Sequence, residues 1–71
     1  MEQIQVVEPS LLDQANGYFA VVFNNRLYFN GRSKELVKKM YDRCGGGNKR
    51  IYVMPSPDEL IDLEHALKRA V

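Results

Sequence analysis

"YFAVVFNNRLYF", Tyr18 to Phe29, decides the fold of this chain. Two runs rich in aromatic and β-branched residues flank Asn24 and Asn25, whose backbones tolerate the positive φ angles that tight turns need. Side chains of this kind pack well on a pleated surface. The segment therefore predicts a β-hairpin.

The length of the hairpin loop determines which side chains share a face of the sheet. With a two-residue loop, Ala20 and Val22 lie on one face of the sheet. The other face then carries an aromatic patch that consists of Phe19, Val21, Phe23 and Tyr28, together with Arg26. A three-residue loop instead places on one face the residues Phe19, Val21, Leu27 and Phe29, with Ala20, Val22 and Tyr28 outside. We favour the three-residue loop, because burying Phe19 together with Phe29 is worth more than burying Ala20 in place of Phe19.

The segment before the hairpin predicts a strand and a short helical turn. Apolar Ile4 and Val6 alternate with glutamines, which favours a half-buried strand over residues 3 to 8, ended by Pro9. Ser10 is followed three residues later by Asp13, and Gly17 comes after them. This spacing predicts a single helical turn.

Two helices and one strand are predicted after the hairpin. Ser33 can cap a helix over residues 33 to 44. Its apolar stripe is Leu36, Val37, Met40, Tyr41 and Cys44. "RIYVM", residues 50 to 54, reads as a strand, and Ser56, Pro57 and Glu59 form a capping-box start for a second helix that runs to the C-terminus. Its apolar stripe is Leu60, Leu63, Leu67, Ala70 and Val71, with Ile61 on the flank.

This order of elements predicts one small α+β domain spanning residues 1–71. We expect a four-stranded, mainly antiparallel sheet with two helices on one face, in β-ββ-α-β-α order. The other face of the sheet should then meet water or a partner.

Composition excludes several classes of protein. The chain has 71 residues, of which 45% are hydrophobic and 27% charged, which is typical of a globular domain. One cysteine and one histidine cannot form an intrachain disulfide or a zinc site, so we expect no metal and no cofactor. The sequence shows no signal peptide and no apolar run of membrane-spanning length, so we expect no membrane partner and a cytoplasmic location.

The glycine-rich stretch "CGGGNKR", Cys44 to Arg50, invites a nucleotide-binding interpretation. A phosphate-cradling loop runs from a strand into a helix N-terminus, whereas these glycines follow the C-terminal end of a helix. Gly45 is better explained as the left-handed residue that ends the helix. Anion contact through the side chains of Lys49 and Arg50 remains open.

No catalytic constellation stands out. Cys44 lies on the apolar stripe at a helix C-terminus, where the dipole opposes a thiolate, so we expect it to be buried. His65 borders the stripe of the second helix without a partner nucleophile. The acids of that helix fit a solvated face, and Glu64 can pair with Lys68. We therefore do not expect an enzyme.

The charges are unevenly distributed along the chain. The net charge is +1, but residues 1–25 sum to −3, residues 26–50 to +6 and residues 51–71 to −2. The basic middle third suggests a binding surface that could converge on one edge of the fold. Its candidate residues are Arg32, Lys34, Lys38, Lys39, Arg43, Lys49 and Arg50, together with Arg26 and Tyr28 of the hairpin.

Two function classes fit this pattern. The first is a non-catalytic protein-binding module, either a homodimer or a small inhibitor or adaptor that docks on a larger host protein, a format frequent among phage and mobile-element proteins. The alternative is a nucleic-acid-binding module that uses the basic segment 32–50, helped by aromatic side chains on the open sheet face if the hairpin loop has two residues.

Overall fold

A four-stranded sheet forms the centre of the computed structural model, which describes residues 4–69. Its strands are β1 Gln5–Val7, β2 Tyr18–Phe23, β3 Arg26–Gly31 and β4 Lys49–Met54, and its helices are α1 Lys34–Arg43 and α2 Leu60–Arg69. Two 3₁₀ helices, Pro9–Gln14 and Pro57–Glu59, precede β2 and α2. The strand order is β1-β4-β2-β3, with every pair antiparallel. The predicted α+β class and four-stranded antiparallel sheet are confirmed.

The connection through α1 is a crossover. Both β3 and β4 pair antiparallel with β2, so these two strands run parallel to each other with β2 between them. Parallel strands cannot be joined by a tight turn, and α1 supplies the longer connection. This arrangement is a split β-α-β unit, to which β1 adds an outer strand beside β4.

The two helices lie on opposite faces of the sheet, so the predicted placement of both on one face is wrong. Alternate residues of a strand point to opposite faces. On β2, Phe19 and Val21 pack in one core cluster with Val37 of α1, while Ala20 and Val22 pack in the other with Leu63 and Leu67 of α2. Within residues 4–69, each face of the sheet thus packs against one helix, and neither face is left without a helix, contrary to the expectation.

The hairpin combines the two predicted registers. Asn24 and Asn25 form a two-residue turn with φ of 53° and 64°, so the favoured three-residue loop is wrong at the turn. Val22 pairs with Leu27, but the next pair is Val21 with Phe29. The extra residue, Tyr28, forms a β-bulge that returns Phe29 to the face of Val21. Phe19 and Phe29 consequently share a face despite the short turn.

The helix starts differ in how they are capped. Ser33 caps α1 as predicted, since its side chain accepts a hydrogen bond from the Leu36 amide at 3.3 Å. Ser56 makes no such bond, and Pro57–Glu59 forms a 3₁₀ turn before α2 begins, so the predicted capping box is wrong. Leu63 and Leu67 are buried as predicted. The predicted contributions of Gln3, Ala70 and Val71 lie outside the described residues.

The end of α1 does not use Gly45 in the way predicted. Cys44 ends the helix in an extended conformation, and the glycines with positive φ among the described residues are Gly17 and Gly47. A Cβ on Gly47 would lie 3.1 Å from the Phe23 ring, so this glycine lets the loop close against the hairpin. Cys44 itself is buried, as predicted.

Candidate protein-binding surfaces

Two of the predicted binding lysines hold the first 3₁₀ helix against α1. Lys38 forms an ion pair with Asp13 at 3.1 Å, and Lys34 donates to the Asp13 backbone carbonyl at 3.0 Å. The two side chains of the ion pair are 43% and 73% exposed, so solvent screens the pair and its contribution to stability is small. These contacts orient a short segment that is anchored by the fully buried Leu12.

Lys49 serves the C-terminal end of α1. Its ammonium group donates to the carbonyls of Tyr41 and Cys44 at 3.2 and 3.3 Å and lies 4.5 Å from the centre of the Tyr41 ring. The last carbonyls of a helix lack intrahelical partners, and a cation there also complements the helix dipole. Lys49 therefore has a structural role that the sequence analysis did not identify.

The remaining cations do not converge on one edge. Arg32 lies 5.5 Å from the centre of the Tyr18 ring, on the sheet face that α2 covers, where the Tyr18 hydroxyl donates to Asn30. Arg50 pairs with Val22 and therefore shares that face. Lys39 and Arg43 are exposed on α1, which covers the opposite face. The structure thus divides the basic segment between two sides of the molecule.

Arg26 and Tyr28 lie at the hairpin end on edge strand β3. Both are exposed, and the Tyr28 ring, 48% exposed, meets Phe23 edge-on with ring centres 6.5 Å apart. Phe23 and Tyr28 thus form a small aromatic contact on the side of the sheet that α1 covers.

The structure assembles no reactive cluster within residues 4–69. The Cys44 thiol donates to the Met40 carbonyl at 3.4 Å, and His65 is exposed. In this range no three metal-ligating side chains come together, and Glu64 makes no ion pair with Lys68. Nor is any helix of the described chain long and apolar enough to cross a membrane.

A groove of about 560 Å³ lies between the hairpin turn and α2. It is lined by Asn24, Asn25, Arg26, Leu27, Glu64, Leu67 and Lys68. The Asn24 side chain and backbone both bond to the backbone of Asn48, which fixes the turn at one end of the groove. Its charged side chains are of both signs, so the lining favours no single class of partner.

A second groove, of about 500 Å³, runs along β1 and is hereafter called the β1 groove. Its lining consists of Gln5, Val6, Val7, Glu8, Leu11, Gln14, Ala15, Asn16 and Val53. Three of these, Val7, Ala15 and Val53, are partly buried against the core and give the groove an apolar base. Leu11 is 49% exposed, so a large apolar side chain meets solvent there. Val6, 59% exposed, pairs with Tyr52 and therefore points to the face of the sheet that α2 covers.

The two edges of the sheet differ in how they are protected. Edge strands are commonly shielded by charged side chains, prolines or bulges. The β3 edge carries Arg26 and the bulge at Tyr28, whereas β1, Gln5–Val7, has neither a charged residue nor a bulge. Its short length is its main protection.

The sequence analysis missed the β1 groove because it gave Leu11 no role. In "QVVEPSLL", residues 5 to 12, four apolar side chains surround one acid, yet only Leu12 is fully buried. Four apolar side chains in a segment of eight residues, more than a short strand and turn need for a core, were the available signal.

Comparison with known proteins found no relative of this chain. A scan against protein-family models, a search of curated proteins and a search of solved structures each returned no match for the chain.

Proposed function

We propose that this chain is a non-catalytic protein-binding domain that receives an extended segment of a partner along the β1 groove. The observation that carries the proposal is the coincidence of an edge strand that lacks charged residues and bulges with an apolar groove beside which Leu11 is exposed. In β-strand addition, main-chain hydrogen bonds to such an edge supply affinity, and neighbouring pockets select alternate side chains.

The lining of the groove suits this mode of binding. Val7 and Val53 provide apolar contact area beside the free edge, and Leu11 extends it along the 3₁₀ helix. The amide side chains of Gln5, Gln14 and Asn16 offer donors and acceptors for a partner backbone. Because β1 has only three residues, few main-chain bonds can form, and side-chain contacts in the groove must supply the rest.

The surroundings of the groove are held in place before any partner binds. Leu12 fixes the 3₁₀ helix in the core, and the contacts of Lys34 and Lys38 with Asp13 tie the same helix to α1. A wall that is already ordered loses little conformational entropy on binding.

The nucleic-acid alternative has less support. It relied on stacking aromatics on an open sheet face, but α1 and α2 each cover one face. It also relied on a joint basic surface, but Lys34, Lys38 and Lys49 are engaged within the domain. The exposed cations that remain lie on both sides of the sheet.

Selection from a display library of short random linear peptides tests the proposal. We expect peptides with apolar residues at alternate positions to be enriched, because a bound strand turns every second side chain toward the groove. Binding of a selected peptide should protect from hydrogen exchange those backbone amides of residues 5–7 that point away from β4.

Two substitutions of exposed apolar residues make a matched pair for this test. Leu11→Ser removes apolar surface inside the β1 groove, whereas Ile61→Ser does so on α2, where Ile61 is 63% exposed and outside the groove. Leu11→Ser should weaken peptide binding about tenfold, the effect of about 1.4 kcal/mol of lost contact, and Ile61→Ser should leave it unchanged. An empty selection, or peptides that respond only to Ile61→Ser, would contradict the proposal.

A further inference from the structure

We propose that the domain has a second protein-binding surface, where α1 meets edge strand β3, and that this surface receives an acidic amphipathic helix of a partner. It lies on the side of the sheet that α1 covers, at the opposite edge from the β1 groove, and does not depend on the function proposed for that groove. Its members, hereafter the β3 surface, are Arg26, Tyr28, Phe29, Leu36, Met40 and Arg43.

The β-bulge builds the strand half of the β3 surface. Phe29 pairs with Val21, so its side chain points toward α1. The bulge inserts Tyr28 without a partner of its own and turns it to the same side, where its ring meets Phe23 edge-on. Two aromatic side chains that are consecutive in sequence thus share one face, and Tyr28 is half exposed.

One stripe of α1 supplies the helix half. Leu36, Met40 and Arg43 recur at helical spacing and therefore line one side of the helix. The other side carries Lys38, which contacts the 3₁₀ helix beside β1, so the stripe of Leu36 faces the β3 edge. Met40 packs partly buried against the same cluster as Phe29, while Leu36 is 45% exposed. Apolar surface therefore continues from strand to helix.

The charges at one end of this apolar area are positive. Arg26 pairs directly with Phe23, so its side chain leaves the sheet on the side of α1. Arg43 ends α1 at the same level, because Lys49, the β4 partner of Phe23, bonds to the last carbonyls of this helix. Both arginines are exposed, and within residues 4–69 neither forms an ion pair.

The nearest acids lie away from the β3 surface. The hairpin of β2 and β3 contains none. On α1, Glu35 and Asp42 share the side of Lys38. Glu64 borders the hairpin turn from α2, across the sheet, and makes no ion pair with Arg26 in the described chain. Carboxylates of a partner would complement the two arginines, and a basic partner would be repelled.

The form of the partner follows from the protection of the β3 edge. The bulge and Arg26 obstruct main-chain pairing along β3, so a partner must bind through its side chains. An amphipathic helix does so by laying an apolar stripe on an apolar surface, and acids beside that stripe would reach the arginines. Nucleic acid fits less well, because Leu36 and Met40 offer no ring for base stacking and two arginines meet few phosphates.

Selection from a display library of helix-forming peptides tests the proposal. Peptides selected on the unmodified domain should carry an apolar helical stripe flanked by aspartate and glutamate. Their affinity should fall as the salt concentration rises.

Two matched pairs of variants locate the binding. Leu36→Ser and Ile61→Ser each remove an exposed aliphatic side chain from a helix, and Leu36→Ser alone should weaken a selected peptide, about tenfold. Arg43→Gln and Arg69→Gln each remove an arginine that ends a helix. Arg43→Gln should weaken binding about two- to fivefold and reduce its salt dependence, whereas Arg69→Gln should change neither.

The outcomes separate the possible occupants. Peptides that depend on Leu36 but respond neither to Arg43→Gln nor to salt would overturn the acidic partner. Binding of oligothymidylate that Tyr28→Ser abolishes, with no peptide selected, would assign the surface to nucleic acid. A library without any binder that depends on Leu36 would overturn the β3 surface as a helix-binding site. Each of these results leaves the β1 groove unaffected, because its peptides are extended and depend on Leu11.

Discussion

Gly17 occupies a backbone position that a side chain cannot share. Its φ is +141°, and a Cβ built there would lie 2.6 Å from the Met54 carbonyl oxygen. The close approach joins the start of β2 to the end of β4, where Tyr18 pairs with Met54. The sequence suggested only that this glycine ends a helical turn, because a contact with a distant strand leaves no local signal.

Gly17→Ala should destabilise the domain strongly. The strained backbone costs about 1–3 kcal/mol, and the clash with the carbonyl adds to that cost. Gly45→Ala is the comparison, since no atom lies within 4 Å of a Cβ at Gly45 and its φ is not positive. That substitution should change stability by no more than about 1 kcal/mol. Urea unfolding of both variants measures the difference, and equal midpoints would show that Met54 does not approach Gly17 in this way.

The helices illustrate what amphipathic patterns can and cannot predict. The stripes correctly placed Val37, Leu63 and Leu67 in the core, because helical periodicity identifies the side that turns away from water. They do not say which sheet face a helix covers. That information lay in β2, where "YFAVVF" is apolar at every position, as is typical of a strand buried on both faces.

The hairpin shows a similar limit at the level of a strand pair. The aromatic and β-branched residues identified the strands, and the two asparagines identified the turn. The bulge at Tyr28 was not predicted, because nothing in the composition of the strand marks an extra residue. The extra residue places Phe29 on the same face of the sheet as Val21.

Leu67→Ala tests the packing of α2. Leu67 is buried in the cluster with Ala20 and Val22, so its truncation should cost about 2–5 kcal/mol through lost transfer energy and a cavity. His65→Ala should cost less than about 1 kcal/mol, since His65 is exposed. Thermal melts of the two variants give the comparison. A severe effect of His65→Ala, with a mild one of Leu67→Ala, would mean that α2 presents a different side to the sheet.

At the scale of the whole molecule, the order of charges along the sequence did not predict where the cations lie in the fold. The segment 26–50 is basic in sequence, but β3, α1 and β4 distribute its side chains over both sides of the sheet. Spatial convergence depends on strand order and on helix placement, and neither can be read from local composition. The β1 groove likewise forms only when residues 5–16 meet Val53, which is distant in sequence.

The division of the core into two clusters makes a further prediction about energetic coupling. Ile4 belongs to the cluster under α2 and Ile51 to the cluster under α1, and the sheet separates them. Ile4→Val and Ile51→Val should each cost about 0.5–1.5 kcal/mol. Because the two side chains share no packing partners in their clusters, the double variant should show the sum of the two costs to within about 0.5 kcal/mol.

A pair within one cluster provides the contrast. Val21 and Ile51 are direct partners across β2 and β4 and belong to the same cluster. Val21→Ala combined with Ile51→Val should therefore deviate from additivity by about 0.5 kcal/mol or more, since the two truncations enlarge a shared space. Urea unfolding of the single and double variants measures both couplings. Strong coupling between Ile4 and Ile51 would mean that the sheet does not divide the core, and the placement of α1 and α2 on opposite faces would then be wrong.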